Sequence, residues 1–253
     1  MIYLHENGVT VVATDEAKRG KVYELNGEKY YIARGVSDIQ RIVSSKEHPL
    51  NRVITSKLTT LNYLFQIRGG YGQSAVPKNF NDDITNWDTS NVLSMEEVFS
   101  GWPKFNQDIS NWDVSSVTDM SHMFSGSNFN QPLNSWNVSS VTNMEGMFSN
   151  AKLFNQALSA WDVSLVTNMQ NMFSYNFFNH ELNSWDVSRV TNMEYMFKNS
   201  RYFDQELSGW DVYSVNFMSG MFMGASNFNQ EINNWDVSSV TIMENMFNDA
   251  KVF

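Results

Sequence analysis

The stretch NSWDVSRVTNMEYMF, residues 183–197, decides the fold, because it is repeated along the chain with few changes. Tryptophans recur every 24 or 25 residues, at positions 87, 112, 136, 161, 185, 210 and 235. Phenylalanines open the units at positions 80, 105, 129, 154, 178, 203 and 228, and Phe253 would open an eighth unit. A unit of this size cannot bury its apolar face alone, so successive units are expected to stack.

Each unit carries two apolar patterns in sequence. Leu182-x-x-Trp185-x-Val187 ends in an alternation that predicts a short strand with one buried face. The apolar residues of 190–197 recur three and four apart, which predicts a short helix. Helix starts are indicated by capping boxes, in which a threonine precedes Glu or Gln by three residues. These pairs begin at Thr142, Thr167, Thr191 and Thr241.

The motif W-D-V-S-x-V-T-N-M-x-x-M-F resembles the BspA-like leucine-rich repeats of bacterial surface proteins and mycoplasma-type surface lipoproteins. The resemblance covers residues 80–253, and residues 56–65 match 115–124 as a partial copy. It implies an α/β repeat fold, a leucine-rich-repeat-like right-handed solenoid with one short strand and one short helix per unit. It also implies interaction roles on cell surfaces, without a shared catalytic site.

The expected domain organisation has three parts. Residues 1–50 do not repeat and are expected to form a small ββα cap, an α+β piece covering one end of the array. In it, 8–13 and 29–33 are predicted strands, Asn26-Gly27 a hairpin turn, and 37–43 a helix with Ser37 as its N-cap. Residues 51–79 hold the partial repeat and an inserted loop at 66–79. Residues 80–253 hold seven full repeats and the first residue of an eighth.

Composition restricts the class of partner. The formal net charge is −10, and the 17 basic residues look scattered along the chain, which argues against nucleic acid and anionic membranes. There is no cysteine for disulfides or thiolate metal sites, and no apolar run long enough for a membrane span. We expect a monomeric module at the cell surface or outside the cell. We expect no signal peptide in the sequence as given, and its stop inside an eighth unit suggests a piece of a longer protein.

Three further series recur with the unit. The tryptophans share a face with valine, and the methionines follow helical spacing, so both series are predicted to form core rather than a ligand strip. The residue after each opening phenylalanine is predicted to form a structural amide ladder that bonds to backbone groups of its own and the next unit. Its members are Asn81, Asn106, Asn130, Asn155, Asn179, Asp204 and Asn229.

An aspartate follows nearly every tryptophan, and stacked carboxylates repel one another. The members are Asp88, Asp113, Asp162, Asp186, Asp211 and Asp236, with Asn137 breaking the row. The favoured hypothesis is an Asx-type turn, because an amide can replace the acceptor but not the charge. Calcium bound between neighbouring carboxylates and an acidic strip facing a basic partner stay open as alternatives.

The copies differ mainly in the residues that follow M-F. Exposed aromatic residues and arginine are typical of interface hot spots, so these positions are candidate partner-binding residues. With two tyrosines that replace small polar residues, the candidates are Trp102, Lys104, Tyr175, Tyr195, Arg201, Tyr202 and Tyr213.

No enzymatic motif is present in the sequence. The four histidines are isolated, and neither a G-x-S-x-G elbow, a phosphate loop nor a dinucleotide fingerprint occurs. We therefore expect no catalytic residues and no cofactor. The expected function is binding or adhesion to a protein or glycan on a host or neighbouring cell. The alternatives are a spacer that projects another domain and a calcium-stabilised array.

Overall fold

The N-terminal part contains the only extended strands and the one α-helix of the described residues. The structure is a computed structural model that describes residues 1–65 and 79–251. Its regular elements are mostly strands. In chain order they are β1 (Ile2–Leu4), β2 (Val11–Ala13), β3 (Val22–Leu25), β4 (Glu28–Ile32), α1 (Val36–Ser45), a 3₁₀ turn (Leu50–Arg52) and β5 (Val53–Ile54).

These strands form two small sheets. β1 pairs antiparallel with β2, and β3 pairs antiparallel with β4, which in turn pairs parallel with β5. The β3–β4 turn uses Asn26 and Gly27, whose φ angles of 53° and 78° both lie in the left-handed region. Such a pair suits the right-handed twist of a two-residue hairpin, and the predicted Asn-Gly turn is confirmed.

Helix α1 begins at Val36, with Gly35 at the N-cap and no side-chain capping bond, so the prediction that Ser37 is the cap is wrong. Asp38 instead accepts a hydrogen bond of 3.0 Å from the backbone N–H of Arg34. The buried face of α1 contains Ile39 and Ile42, which join the same core as the repeats. The assignment of this region as a cap stays a prediction, and all but the last residue of the predicted loop at 66–79 lies outside the described residues.

The repeats, over the residues described, contain neither the strand nor the helix predicted for each unit. In the stretch predicted as a strand, the N–H of Trp185 donates to the carbonyl of Leu182 at 3.0 Å, and that of Val190 donates to Val187 at 2.9 Å. Both bonds close tight turns. A strand cannot form here because the chain reverses direction at each of them.

The predicted helix is absent because its hydrogen bonds leave the unit. The N–H groups of Met193, Tyr195 and Phe197 donate to carbonyls of the following unit, each at 2.9 Å. Of the N–H groups between them, those of Met196 and Lys198 donate to the carbonyl three residues earlier, at 3.2 Å and 3.1 Å, and that of Glu194 donates to the side chain of Asn192. An α-helix would need consecutive bonds to the fourth preceding residue. Tyr195 and Asn199 also have φ angles of 57° and 56°, which interrupt a right-handed helix.

Neighbouring units are joined by parallel bridges, one residue per unit. The bridges run in order through Thr60, Ser94, Asp119, Asn143, Asn168, Asn192, Phe217 and Ile242. The expectation of an α/β leucine-rich-repeat-like right-handed solenoid, with one strand and one helix per unit, is therefore wrong. The described repeats are successive turns, connected to their neighbours by backbone bonds and single bridges.

The core of the repeats is a set of stacked aromatic columns, as predicted for the tryptophans. Phe173 lies 5.7 Å from Phe148 and 5.8 Å from Phe197, measured between ring centroids, with the rings nearly parallel. The indole N–H of Trp185 donates to the carbonyl of Leu158 in the preceding unit at 3.1 Å. Met193 is fully buried, so its series also belongs to the core. Burying an aromatic with its polar atom bonded avoids the cost of an unmet donor.

The threonines predicted to cap helices have another role. The hydroxyl of Thr191 donates to the carbonyl of Thr167 at 3.1 Å, and that of Thr167 donates to Thr142 at 3.2 Å. The capping-box prediction is wrong, because no helix follows these residues. The sequence signal is real, but the hydroxyls connect units instead of closing one.

Candidate functional site

The amide ladder predicted after the opening phenylalanines is confirmed as a connection between units. The side-chain oxygen of Asn155 accepts from the backbone N–H of Asn179 at 3.1 Å, and Asn179 does the same for Asp204 at 3.0 Å. These side chains are exposed or half-buried rather than buried. The ladder is structural, because each bond joins one unit to the next.

The aspartates after tryptophan close Asx turns, as the favoured hypothesis predicts. Oδ1 of Asp113 accepts from the backbone N–H of Ser115 at 3.0 Å and from its hydroxyl at 2.6 Å. Asn137 makes the same two contacts with Ser139, at 3.2 Å and 2.7 Å. An amide therefore substitutes for the carboxylate in the turn, which explains why the row of charges can be broken.

The turn also favours the charged form of the carboxylate. The hydroxyl and then the backbone N–H of Ser188 donate to Asp186 and lower the pKa of its carboxyl. The same two bonds from Ser164 and Ser238 lower the pKa of Asp162 and Asp236. Hydrogen bonds to a carboxylate stabilise it against protonation.

A substitution pair at Asp186 separates its acceptor from its charge. Asp186→Ala removes the acceptor for Ser188, and we expect the free energy of unfolding to fall by about 1 kcal/mol. Asp186→Asn keeps the acceptor, as Asn137 does, and is expected to change it by less than about 0.5 kcal/mol. Urea unfolding measures both. Equal losses for the two variants would show that the charge itself is required.

Acid should weaken the fold through the same carboxyls. A carboxyl with a lowered folded-state pKa stabilises the fold above its unfolded pKa, about 3.9 for aspartate, and this contribution is lost as pH falls through the folded value. We expect a nearly constant melting temperature from neutral pH down to about 5 and a decline below about 4. Replacing Asp162, Asp186 and Asp236 together by Asn should make the decline shallower. If the melting temperature of that variant fell with acid as steeply as that of the original chain, these three carboxyls would not be the cause of the acid sensitivity.

The calcium hypothesis gains no geometric support in the described ranges 1–65 and 79–251. No three His, Asp or Glu side chains there come together as a metal site would require. One oxygen of the Asp113 carboxylate, Oδ1, already accepts two hydrogen bonds in its own turn. We therefore expect EDTA, compared with added calcium, to leave the melting temperature unchanged. A fall of several degrees with EDTA would restore a calcium-stabilised array.

Five of the six basic residues in 79–251 lie on one edge of the repeats. We call this the variable edge, the residues between the second phenylalanine of each unit and the opening phenylalanine of the next. It comprises 100–104, 125–128, 149–153, 174–177, 198–202, 223–227 and 248–251. Of the six Lys and Arg in residues 79–251, only Arg189 lies elsewhere; the others are Lys104, Lys152, Lys198, Arg201 and Lys251. Asp249 is the one acidic residue on this edge.

Three consecutive units also expose an apolar side chain at one position of the variable edge, directly before the opening phenylalanine. These residues, Leu153, Phe177 and Tyr202, are here called the apolar column, and they are 54%, 42% and 54% exposed. Phe177 and Tyr202 meet edge to face at 5.1 Å between ring centroids. Asn128 and Asn227 occupy the same position in the flanking units, so the fold does not need an apolar residue there.

Trp102, a candidate partner residue, is instead a core residue. It is only 5% exposed and packs edge-on against Phe65 and Phe80, at 6.0 Å and 6.2 Å between ring centroids. These two contacts explain why Trp102 has no counterpart in the other units. Its ring fills space where the partial repeat meets the first full unit. Lys104, two residues later, is exposed.

The other predicted aromatic residues differ in availability. Tyr175 is 47% exposed, and Lys198 Nζ lies 5.9 Å from its ring centroid. The same ammonium lies 4.7 Å from the ring of Tyr195. Tyr195 covers Gly220 of the next unit so closely that a Cβ there would lie 2.5 Å from the ring. Tyr195 therefore packs between units, while Tyr175 and Lys198 remain part of the variable edge.

Two further candidates are exposed in different places. Tyr213 is 57% exposed, but it stands in the turn after Trp210, where the other units carry serine. Arg201 is exposed beside Tyr202 on the variable edge. The structure thus assembles Lys104, Tyr175, Arg201 and Tyr202 on one edge and separates Tyr213 from them.

Sequence analysis missed Leu153, Phe177, Lys152 and Lys198. Aligning the seven units and marking charge by position in the unit would have shown the basic edge. Exposure of the apolar column could not be read from the sequence, because Phe177 stands directly before a fully buried phenylalanine.

Comparison with known proteins assigns the repeats to a family. The family described as Mycoplasma protein of unknown function, DUF285, matches residues 59–177 and 158–253. The chain belongs to this family. The searches of curated proteins and of solved structures returned no match. The mycoplasma-type repeat is thus established, whereas the BspA-like leucine-rich-repeat assignment is not.

The DUF285 match begins inside the partial repeat and therefore includes the whole variable edge. In the described part of the chain, outside 66–78 and 252–253, no helix is long and apolar enough to span a membrane. The DUF285 description names no activity, so function has to be argued from the surface of the repeats.

Proposed function

We propose that the chain is a non-enzymatic binding module that uses its variable edge to hold a protein or glycan partner at a cell surface. The single observation that supports the proposal most is the apolar column. A folded monomer gains nothing from exposing Phe177 and Tyr202, because Asn128 and Asn227 occupy the same position in other units. Exposed apolar residues grouped together indicate an interaction site.

The chemistry of the edge agrees with this proposal. Aromatic residues and arginine supply much of the binding energy at protein interfaces. Arg201 and Tyr202 are consecutive residues of the variable edge. Backbone bonds between units hold the edge in place, such as Tyr175 N–H to the carbonyl of Lys198 at 2.7 Å. A preorganised surface loses less entropy on binding than a flexible one.

A second exposed apolar pair is a weaker candidate. Phe217 and Ile242 stand at the bridge positions of adjacent units and are 38% and 42% exposed. No unit carries Lys or Arg at this position. The bridge side therefore lacks the charge that accompanies the apolar column.

The test is binding of the labelled chain to panels of immobilised matrix proteins and glycans and to intact cells. We expect saturable binding to at least one target and its loss in a Phe177→Asn/Tyr202→Asn variant. Trp102, being buried, is unsuited to this test. Absence of binding across the panels would contradict the proposal and favour a spacer that projects another domain.

A further inference from the structure

We infer that the partner is an acidic polypeptide segment bearing apolar side chains, which lies along the apolar column with its carboxylates on the flanking Lys and Arg. The inference rests on the proposed binding function and specifies the partner's chemistry. It combines two independent features of the variable edge, its apolar column and its charge.

Charge complementarity indicates that the partner is negatively charged where it meets the variable edge. Lys152 and Arg201 each stand next to a member of the apolar column, and Lys198 lies on the same edge as Arg201. The chain as a whole carries a net charge of −10, so this edge is a local exception. A basic patch on an acidic protein attracts anionic groups locally while the rest of the surface repels them. Carboxylates fit a guanidinium in bidentate geometry.

The composition of the column favours a polypeptide over a sugar. Sugars bind aromatic side chains through ring faces, but Leu153 has no such face. Phe177 and Tyr202 meet at an interplanar angle of 85°, so they do not form one flat platform. A mixed aliphatic and aromatic column is a surface against which leucine or phenylalanine side chains can pack.

The repeats themselves supply substitutions that should preserve the fold. Asn occupies the column position in two units, so Phe177→Asn and Tyr202→Asn copy a neighbour. Ser226 stands at the position equivalent to Arg201, and Ser174 at that of Lys198, so Arg201→Ser and Lys198→Ser do the same. Tyr213→Ser removes an exposed aromatic away from the variable edge and is the matched control.

The experiment uses fluorescence anisotropy of the full chain with a short labelled peptide of Glu and Leu. Equal-length peptides of Glu and Ser, and of Lys and Leu, test the apolar and charged requirements separately. A labelled heparin fragment tests a sulfated glycan. We expect the Glu–Leu peptide to bind best and to weaken with added salt.

We expect the double variant at Phe177 and Tyr202 to lose at least about tenfold in affinity for the Glu–Leu peptide, as for hot-spot residues. The double variant at Lys198 and Arg201 should lose affinity mainly at low salt, and Tyr213→Ser should bind like the original chain. Melting temperatures of all variants confirm that they are folded.

Three outcomes would overturn the inference. Tighter binding of heparin than of the Glu–Leu peptide would make the partner a sulfated glycan. Self-association of the chain, lost in the edge variants, would make it a second copy. Binding of any probe that survives the edge variants would place the site elsewhere. In the first two cases binding through the variable edge would stand. A site elsewhere, or a chain that binds nothing in the panels, would contradict the proposed function as well.

Discussion

We expect Phe173→Ala to lower the free energy of unfolding by about 3 to 5 kcal/mol, the range for truncating a buried phenylalanine. Phe173 is fully buried and stacks on rings in both neighbouring units. It also contacts Phe178 at 4.5 Å between ring centroids. The truncation therefore leaves a cavity shared by three units, which cannot close without moving all of them.

The matched control is Phe177→Asn, only four residues away. Phe177 is 42% exposed, and its loss should change the free energy of unfolding by about 0.5 kcal/mol or less. Urea unfolding followed by tryptophan fluorescence measures both variants. Similar losses at the two positions would contradict the assignment of one phenylalanine to the core and the other to the surface.

We expect Asn176→Ala to lower the free energy of unfolding by about 3 kcal/mol or more, because it leaves several buried polar groups without a hydrogen-bond partner. Asn176 is fully buried. Its amide donates to the carbonyls of Phe148 and Ala151 at 2.9 Å and 2.8 Å, and its oxygen accepts from the N–H of Phe178 at 2.7 Å. Thermal and urea unfolding measure the loss.

The acceptor of the opening phenylalanine's N–H differs between units of 24 and of 25 residues. In three of the longer units the N–H of the next opening phenylalanine donates to the backbone carbonyl three residues earlier, as Phe154 does to Ala151 at 3.1 Å. In the shorter unit ending at Phe177, Asn176 supplies the acceptor from its side chain. Ser127 does so in the other short unit, at 3.4 Å to Phe129.

Two controls make the Asn176 prediction sharp. Ser200→Ala, at the equivalent position of a longer unit, removes one side-chain bond to the carbonyl of Phe173 and should cost about 1 kcal/mol. Adding one residue before Phe178 to the Asn176→Ala variant should recover much of the lost stability, because the backbone turn of the longer units can then form. A small loss for Asn176→Ala, near that of Ser200→Ala, would contradict this account.

Much of the core could be predicted from the sequence, because the repeat places equivalent side chains at equivalent depths. Trp185 and Met193 are buried, as their spacing indicated. The amide ladder and the Asx turns also followed from side-chain chemistry, since both use short polar residues at fixed positions.

The backbone of the repeats could not be predicted in the same way. Apolar residues spaced three and four apart suit a helix, but they also suit turns that close every three or four residues. The deciding feature is the left-handed conformation at Tyr195 and Asn199. Tyrosine gives no signal of it, although asparagine is enriched in it. The N–H groups that a helix would use internally bond to the next unit instead, and that partner is about 24 residues away.

The candidate site was predictable in part. Arg201, Tyr202 and Tyr175 stand on the variable edge, as the differences between units suggested. Trp102 was assigned to the surface because it stands among the variable residues that follow M-F, whereas its ring packs beside the partial repeat. Position along the chain did not reveal this contact, because it joins residues from separate units.

Stability and binding should be separable in this chain, because the buried core of the repeats stabilises the fold and the variable edge binds the partner. The most direct test measures melting temperature and partner affinity together for the Phe177→Asn/Tyr202→Asn variant, beside Tyr213→Ser. We predict an unchanged melting temperature for both, with affinity lost only in the double variant. A folded double variant that binds as tightly as the original chain would contradict the account.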